Sequence, residues 1–384
     1  MSVVPVDNPS VSFQEIASYS PSSGSLVSSI LGSLDSGVSI TGPLEEILFA
    51  LSNSSSQEEA QAILSSMNGH VLAQGVALAE SLPSNFSAML GSILGNEPLN
   101  INLYAPAAGS QPNGWMVQAS TIGRWGSGDS VDMEPGYDIK NFSGLIALYH
   151  RFNELRIGGA LSAGRTEVDW DNQAEAKSTD LSGAFFLRYD GLNWFASVEA
   201  FLGQSQMETT RHPGLGTIVE GDYTVHWSGA ALKIGRLFQV NSWRLTPRLG
   251  INYTHIEFPG FTERGQGLNY IVGEGESDSL ELEAGINIAK VIELGGQVFT
   301  PHLNLGIAYE TQDRQMNLET RFADQPGIPA FISSSAEPGR MRGFVELGGA
   351  LSLNDNVDVF LDYKGNFRKR DRVHSVSLGV NIYW

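Results

Sequence analysis

The amino-acid sequence predicts an all-β fold: a 12-stranded antiparallel transmembrane β-barrel preceded by a short α-helical segment. Three observations carry this prediction. From about residue 113 the apolar residues alternate with period two, in runs longer than the strands of ordinary soluble sheets. The connections between runs are alternately tiny and longer, as in a barrel whose short turns all lie on one side of a membrane. Finally, the chain stops inside a strand, VHSVSLGVNIYW. There Val376, Leu378, Val380, Ile382 and Trp384 make an apolar face, and Ser375, Ser377, Gly379, Asn381 and Tyr383 occupy the other.

Composition agrees. Hydrophobic residues are 41% of the chain, yet mean hydropathy is only −0.09. No run approaches the ~18 apolar residues of a spanning helix, whereas alternating strands average to neutral hydropathy and still cross. The net charge of −19 argues against sequence-independent nucleic-acid binding. The absence of cysteine removes disulfides, thiol catalysis and Cys-ligated metals. The opening MSVVPVDNPS has neither a basic nor an apolar signal region, so an exported chain is expected to carry its signal further upstream.

Residues 1–40 are rich in Ser and Gly with little period, and read as a linker or the remnant of a passenger. Residues 41–112 read as a helical linker or plug. Leu44, Ile47, Leu48 and Leu51 recur at helical spacing; Ser56 and Glu59 form a capping box ahead of Ala60, Ile63, Leu64 and Met67, and Asn68-Gly69 ends that helix. Phe86, Leu90, Ile93 and Leu94 line one side of a last helix within 84–98.

Residues 113–384 contain the strands. Four runs, 221–240, 243–263, 276–294 and 297–314, read as single long strands. Phe152-Asn153, Gly191-Leu192, Asn241-Ser242, Gly295-Gly296 and Asp355 make the short turns. GDSVDMEP, HPGLGTIVE and the stretch 315–339 are long loops. In VDVFLDYK, Val357, Val359, Leu361 and Tyr363 oppose Asp358, Asp362 and Lys364; in LELEAGINI, Leu280, Leu282, Ala284, Ile286 and Ile288 oppose Glu281, Glu283 and Asn287. The charged face must be solvated, so it is assigned to a lumen, with Glu199, Glu281, Glu283, Glu346, Asp358 and Asp362 as lining polar residues. Trp115, Trp125, Tyr149, Tyr189, Trp194, Trp243 and Trp384 fit two interfacial aromatic girdles.

A helical prelude followed by twelve such strands resembles the autotransporter translocator domain of type V secretion. The resemblance is carried by RLTPRLGINYTHIEFPGFTE (244–263), by FTPHLNLGIAYE (299–310), by the closing MRGFVELGGALSLNDNVDVFLDYKGNFRKRDRVHSVSLGVNIYW (341–384), and by AQAILSSMNGHVLAQGVALAESLPSNFSAMLGSIL (60–94). It covers roughly residues 41–384. The resemblance implies an integral outer-membrane barrel that exports its own N-terminal passenger to the cell surface. Its partners would be the lipid bilayer, periplasmic chaperones and the barrel-assembly machinery. The assembly signal would be Val376, Leu378, Val380, Ile382 and Trp384, although most members end in Phe rather than Trp. No enzymatic activity, cofactor or metal is expected.

Other chemistry is weak. Gly128-Asp129-Ser130 and Asp371-Arg372-Val373-His374 resemble the blocks of GDSL esterases, but Ser130 sits in a short loop without evident oxyanion donors. A surface esterase would need Ser130 and His374 within hydrogen-bonding reach. The seven histidines show no H-E-x-x-H or paired metal spacing. Passenger cleavage by luminal acids would use Asn96, Asn100 or Asn102, but the family's cleavage motif is absent. A diffusion channel of the porin type and an adhesin using loop 315–339 are the remaining alternatives.

Overall fold

The computed structural model describes residues 21–79, 82–83, 86–87, 89–90, 113–130, 134–214, 216–313, 315–337 and 339–384. Four helices come first: α1 (Pro21–Asp35), α2 (Pro43–Ser52), α3 (Gln57–Met67) and α4 (His70–Ala79). None is long and apolar enough to cross a membrane. Residues 82–83, 86–87 and 89–90 are also helical, while Ile93 and Leu94 lie outside the described residues.

Twelve long strands follow: β1 (Asn113–Gly128), β2 (Tyr137–Phe152), β3 (Leu155–Trp170), β4 (Glu175–Asp190), β5 (Trp194–Arg211), β6 (Val219–Arg236), β7 (Trp243–Phe258), β8 (Gly275–Lys290), β9 (Gln297–Glu310), β10 (Met341–Asn354), β11 (Val357–Phe367) and β12 (Asp371–Tyr383). Each pairs antiparallel with its sequence neighbours, and β12 pairs with β1 to close the ring. The closing register runs from Met116 opposite Tyr383 to Gly128 opposite Asp371. The last residue takes part: Trp115 N–H donates to the Trp384 carbonyl at 2.9 Å, and Trp384 N–H returns a bond to Trp115 at 3.1 Å.

Side-chain alternation survives closure. Leu181, Phe185, Leu202, Ile307, Leu361 and Leu378 are exposed on the outside. The inward positions beside them are buried and largely small or polar, such as Ser120, Ser162, Ser182, Ser197 and Ser205. Trp115, Tyr189, Trp194, Trp243 and Trp384 ring the outside at the short-turn end, and Trp125, Tyr253, Tyr309 and Tyr363 lie outward toward the other. Tyr149 departs from its predicted girdle position. It points inward, donates to the Met116 sulfur at 2.8 Å, and packs edge-on against Phe186. Its neighbours in β2, Leu148 and His150, hold the opposite parity, so period two assigns it inward.

Several glycines make room for aromatic rings across the ladder. A Cβ on Gly306 would lie 2.3 Å from Phe344, and one on Gly379 would lie 2.3 Å from Phe360. The short turns use left-handed residues where the sequence provides them: Asn153, Asn241, and the pair Gly295 and Gly296 all have positive φ.

Of the four long runs, 221–240 and 276–294 keep a single register throughout, whereas 243–263 and 297–314 leave the barrel early. β6 continues past Arg236 into Phe238–Val240, which pairs with the start of β7 in the same register as the rest of β6. The intervening Leu237 is buried, and its N–H donates to the Asn193 carbonyl at 2.8 Å, prolonging the β5–β6 ladder by one pair. β8 likewise continues past Lys290 into Ile292–Leu294, which keeps its register against β9. β7 ends at Phe258 and β9 at Glu310. Beyond those two ends, loop segments Phe261–Thr262, Tyr270–Val272, Asn317–Phe322 and Phe331–Ser334 build a small separate sheet over the long-loop mouth.

The stretch 1–40, read as a linker, contains α1 within its described part. Leu26, Val27 and Ile30 are buried, and the helix lies against the mouth strand Phe331–Ser334. Its serines conceal a narrow apolar stripe, and tertiary packing supplies the stability that propensity does not.

If the alternating outer face meets lipid, Leu378→Arg should destabilise the barrel. Leu378 is 58% exposed near the middle of β12. A cation at that depth costs about 2–4 kcal/mol. The expected outcome is a lower denaturant midpoint for the variant in phospholipid vesicles; an unchanged midpoint would place this face outside hydrocarbon.

Candidate functional site in the lumen and at its mouth

The barrel encloses part of its own chain. At the long-loop end, His70 opens α4 beside Ser334 and Glu134. Deeper, Gly75 passes close to Tyr223 and Trp170. Deeper again, Phe86 packs against Phe201 and Trp227, with ring centroids 6.4 and 6.1 Å apart. Ser87 donates to the Glu199 carboxylate at 3.0 Å. Glu199 sits in the short-turn half of β5, so the described residues between 70 and 90 descend from the mouth into the barrel. One continuous core joins Leu26, Leu44, Met67, Leu72 and Phe86 to Trp170, Tyr223 and Phe331 of barrel and loops.

A latch holds this segment at the mouth. Ser56 caps α3, accepting from Glu59 N–H at 3.2 Å, while the Glu59 carboxylate reaches back to Ser55. The other end of α3 leaves carbonyls without helical partners. Arg211 donates to Ser66 O at 2.9 Å, the Tyr270 hydroxyl donates to Met67 O, and Ser333 Oγ donates to Asn68 O at 3.3 Å. Arg211 also forks onto Glu263 at 3.0 and 2.7 Å and lies over the Tyr270 ring. A cation at a helix C-terminus complements the dipole, and Glu263 balances that buried charge. Gly69 follows in the left-handed conformation, φ 66°, where a Cβ would collide with Ser333 Oγ at 2.2 Å.

The lumen wall between β5 and β12 carries a charge network. Glu199 meets Lys233 at 3.0 Å, and Glu283 meets Arg248 at 3.3 Å. Glu281 holds Arg342 at 2.6 Å and Arg368 at 3.1 Å. Asp358 accepts from the Tyr383 hydroxyl at 2.8 Å. Asn304 donates to Glu346 at 2.8 Å and accepts from Arg248. Asp362 and Glu346 both face His302, from 3.2 and 3.6 Å. Thus Glu199, Glu281, Glu283, Glu346, Asp358 and Asp362 each sit in a polar network of the inner wall. The meeting of His302 with Glu346 and Asp362 was not anticipated, and neither was the latch of Arg211, Tyr270 and Ser333. His302 lacks a spacing signal because its neighbours come from other strands.

The esterase pair is not assembled. His374 lies on the outer wall, bonded through Nδ1 to the Tyr363 hydroxyl at 2.8 Å and stacked on Trp125. Asn96, Asn100 and Asn102 lie outside the described residues.

The Autotransporter beta-domain family matches residues 117–364. The chain belongs to that family. Its fold is similar to the translocator domain of the autotransporter NalP from Neisseria meningitidis, with a TM-score of 0.62 at 16% identity over 80% of this chain and 96% of that one. It is also similar to the beta domain of the Bordetella autotransporter BrkA, with a TM-score of 0.50 at 15% identity over 70% and 98%. No curated protein sequence matches the chain. As an autotransporter beta-domain with this closed barrel, the protein is an outer-membrane translocator barrel.

Burial lowers the His70 pKa from 6.5 to about 4, against a smaller raising effect of its bond to Ser334 O. Docked His70 is therefore neutral, while undocked His70 takes a proton below about 6.5. Docking of α4 should be at full strength above that pH and weaken as pH falls toward 4, by up to roughly 3 kcal/mol. Hydrogen exchange of α4 amides at pH 7 and pH 5, corrected for intrinsic rates, checks this. His70→Gln should flatten the dependence; an equally steep dependence in the variant would remove His70 as its cause.

Proposed function

We propose that this barrel exports its own N-terminal passenger to the cell surface. The observation that carries the reading is the path of the chain: helices α1 to α3 gather at the long-loop mouth, and residues 70–90 run inward through the lumen. With the short turns periplasmic, that path leads from the periplasm to the exterior. Whatever precedes α1 would then stand outside the cell. Residues 1–40 belong to the passenger side, 41–112 to the linker and plug, and 113–384 to the barrel. The polar inner wall suits this task, because an extended chain can cross without presenting peptide groups to hydrocarbon.

Assembly follows the same logic. We assign the signal read by the barrel-assembly machinery to Val376, Leu378, Val380, Ile382 and Trp384, with periplasmic chaperones guarding the unfolded strands beforehand. Trp384 contributes two of the backbone bonds that close the ring. Deleting Trp384 should lower the fraction of chain inserted into outer membranes, measured by heat-modifiable migration of membrane fractions. Undiminished insertion would detach the signal from the terminal residue.

The decisive test is planar-bilayer conductance of the refolded chain with and without residues 1–98. A small conductance that rises sharply on deletion supports a plugged translocator. A large conductance indifferent to the deletion would favour a diffusion channel and sink the reading of residues 70–90 as a plug.

A further inference from the structure

The unexplained feature of the inner wall is the trio His302, Glu346 and Asp362. They come from three consecutive strands, β9, β10 and β11, and their donor atoms lie within 4.8 Å of one another. Elsewhere in the lumen, direct charge pairs run from 2.6 Å for Arg342 with Glu281 to 3.3 Å for Arg248 with Glu283, and both are hydrogen bonds. The trio differs in how its imidazole is aimed. His302 Nε2 lies 3.2 Å from Asp362 Oδ1 and 3.6 Å from Glu346 Oε1, and this buried nitrogen makes no acceptably aimed hydrogen bond to either. Charge-assisted bonds normally close to about 2.7–2.9 Å. Ligands held about 2.0–2.1 Å from a tetrahedral zinc ion are separated by about 3.3 Å, the edge of the tetrahedron.

The backbone is cut to this arrangement. Gly348 is the cross-strand partner of both His302 and Asp362. A Cβ there would fall 1.8 Å from Asp362 Oδ1. The missing side chain lets the carboxylate lie across β10 toward the imidazole on β9. Asn304, itself held by Arg248 and Asn287, orients Glu346, as outer groups do around ligating carboxylates.

We propose that His302, Glu346 and Asp362 form a luminal site for a divalent first-row transition cation of the zinc type, with the fourth position open to water. One imidazole and two carboxylates suit such an ion. Bound there, it ties β9, β10 and β11 together from the inside. Lys364, the cross-strand partner of Glu346, opposes the ion's charge and tunes its affinity downward.

The test is isothermal titration of the refolded full chain in detergent with Zn2+, checked by the electronic spectrum of bound Co2+. One equivalent should bind, with a tetrahedral Co2+ spectrum. His302→Ala and Asp362→Asn should each weaken binding at least tenfold, and Lys364→Met should strengthen it. His255→Ala is the control, because His255 lies near Asp278 and Glu257 at 3.0 and 3.3 Å on a more exposed part of the barrel; it should change nothing. Heat-modifiable migration establishes that each variant is folded. Should His302→Ala not fold, Asp362→Asn and the wild-type Co2+ spectrum decide. Absence of binding, equal binding by folded His302→Ala and Asp362→Asn, or loss of binding in His255→Ala would each overturn the proposal.

Discussion

The structure depends on one constraint: no peptide N–H or C=O crossing hydrocarbon can be left without a partner. Each such group costs several kcal/mol when unpaired. An antiparallel sheet satisfies its interior strands but always leaves two edges, so β1 and β12 must find each other. The ring closes over almost the whole length of β1, out to Trp384. Closure in turn fixes register. A slip of one residue would turn Leu378 and Trp384 into the lumen and Ser377 into lipid.

Closing the ring creates a second problem on the other face. Polar residues that alternate with the lipid-facing ones are gathered into a space where water is limited. On the wall from β5 to β12 they neutralise one another, as in Glu281 with Arg342 and Arg368. Buried ion pairs contribute little net stability, because desolvation offsets attraction, yet losing one partner is severe. Their effect is to make the inner wall specific. Where the wall carries Trp170, Phe201, Tyr223 and Trp227 instead, Gly75 and Phe86 of the chain's own helical segment lie against it. Apolar stretches of the lumen are thus covered mainly by the helical segment and charged ones mainly by one another, with Ser87 on Glu199 joining the two.

The fold was legible because membrane strands obey period two for longer than chance allows, and because Asn153, Asn241, Gly295 and Gly296 punctuate one end only. Those signals are local. The errors arise where local pattern gives way to tertiary context. Helix α1 hides a narrow apolar stripe among serines and stands on contacts with the mouth sheet. Tyr149 reads as an interfacial aromatic by type, while its parity sends it inward. The runs 243–263 and 297–314 end short at Phe258 and Glu310, where the chain beyond them turns to the mouth sheet. The trio around His302 was invisible for a different reason. Its members are far apart in sequence and meet only through the registers of two strand pairs, with Gly348 between them.

The mouth shows how the two parts of the molecule require each other. Helix α3 ends in a buried place, so its last carbonyls need donors that the helix cannot supply. The barrel answers with groups from β5 and from two loops: Arg211, Tyr270 and Ser333. Arg211 in turn is tolerable there only because Glu263 lies against it. Tyr270 packs edge-to-face against Phe322 and Phe331 beneath, each nearly inaccessible to solvent. Without the helix this face of the loop sheet would expose an aromatic cluster, and Arg211 would lose its Ser66 acceptor. Ordering of the long loops is therefore coupled to the segment that occupies the mouth. The coupling follows from satisfied hydrogen bonds and shared apolar area, with no hinge needed to explain it.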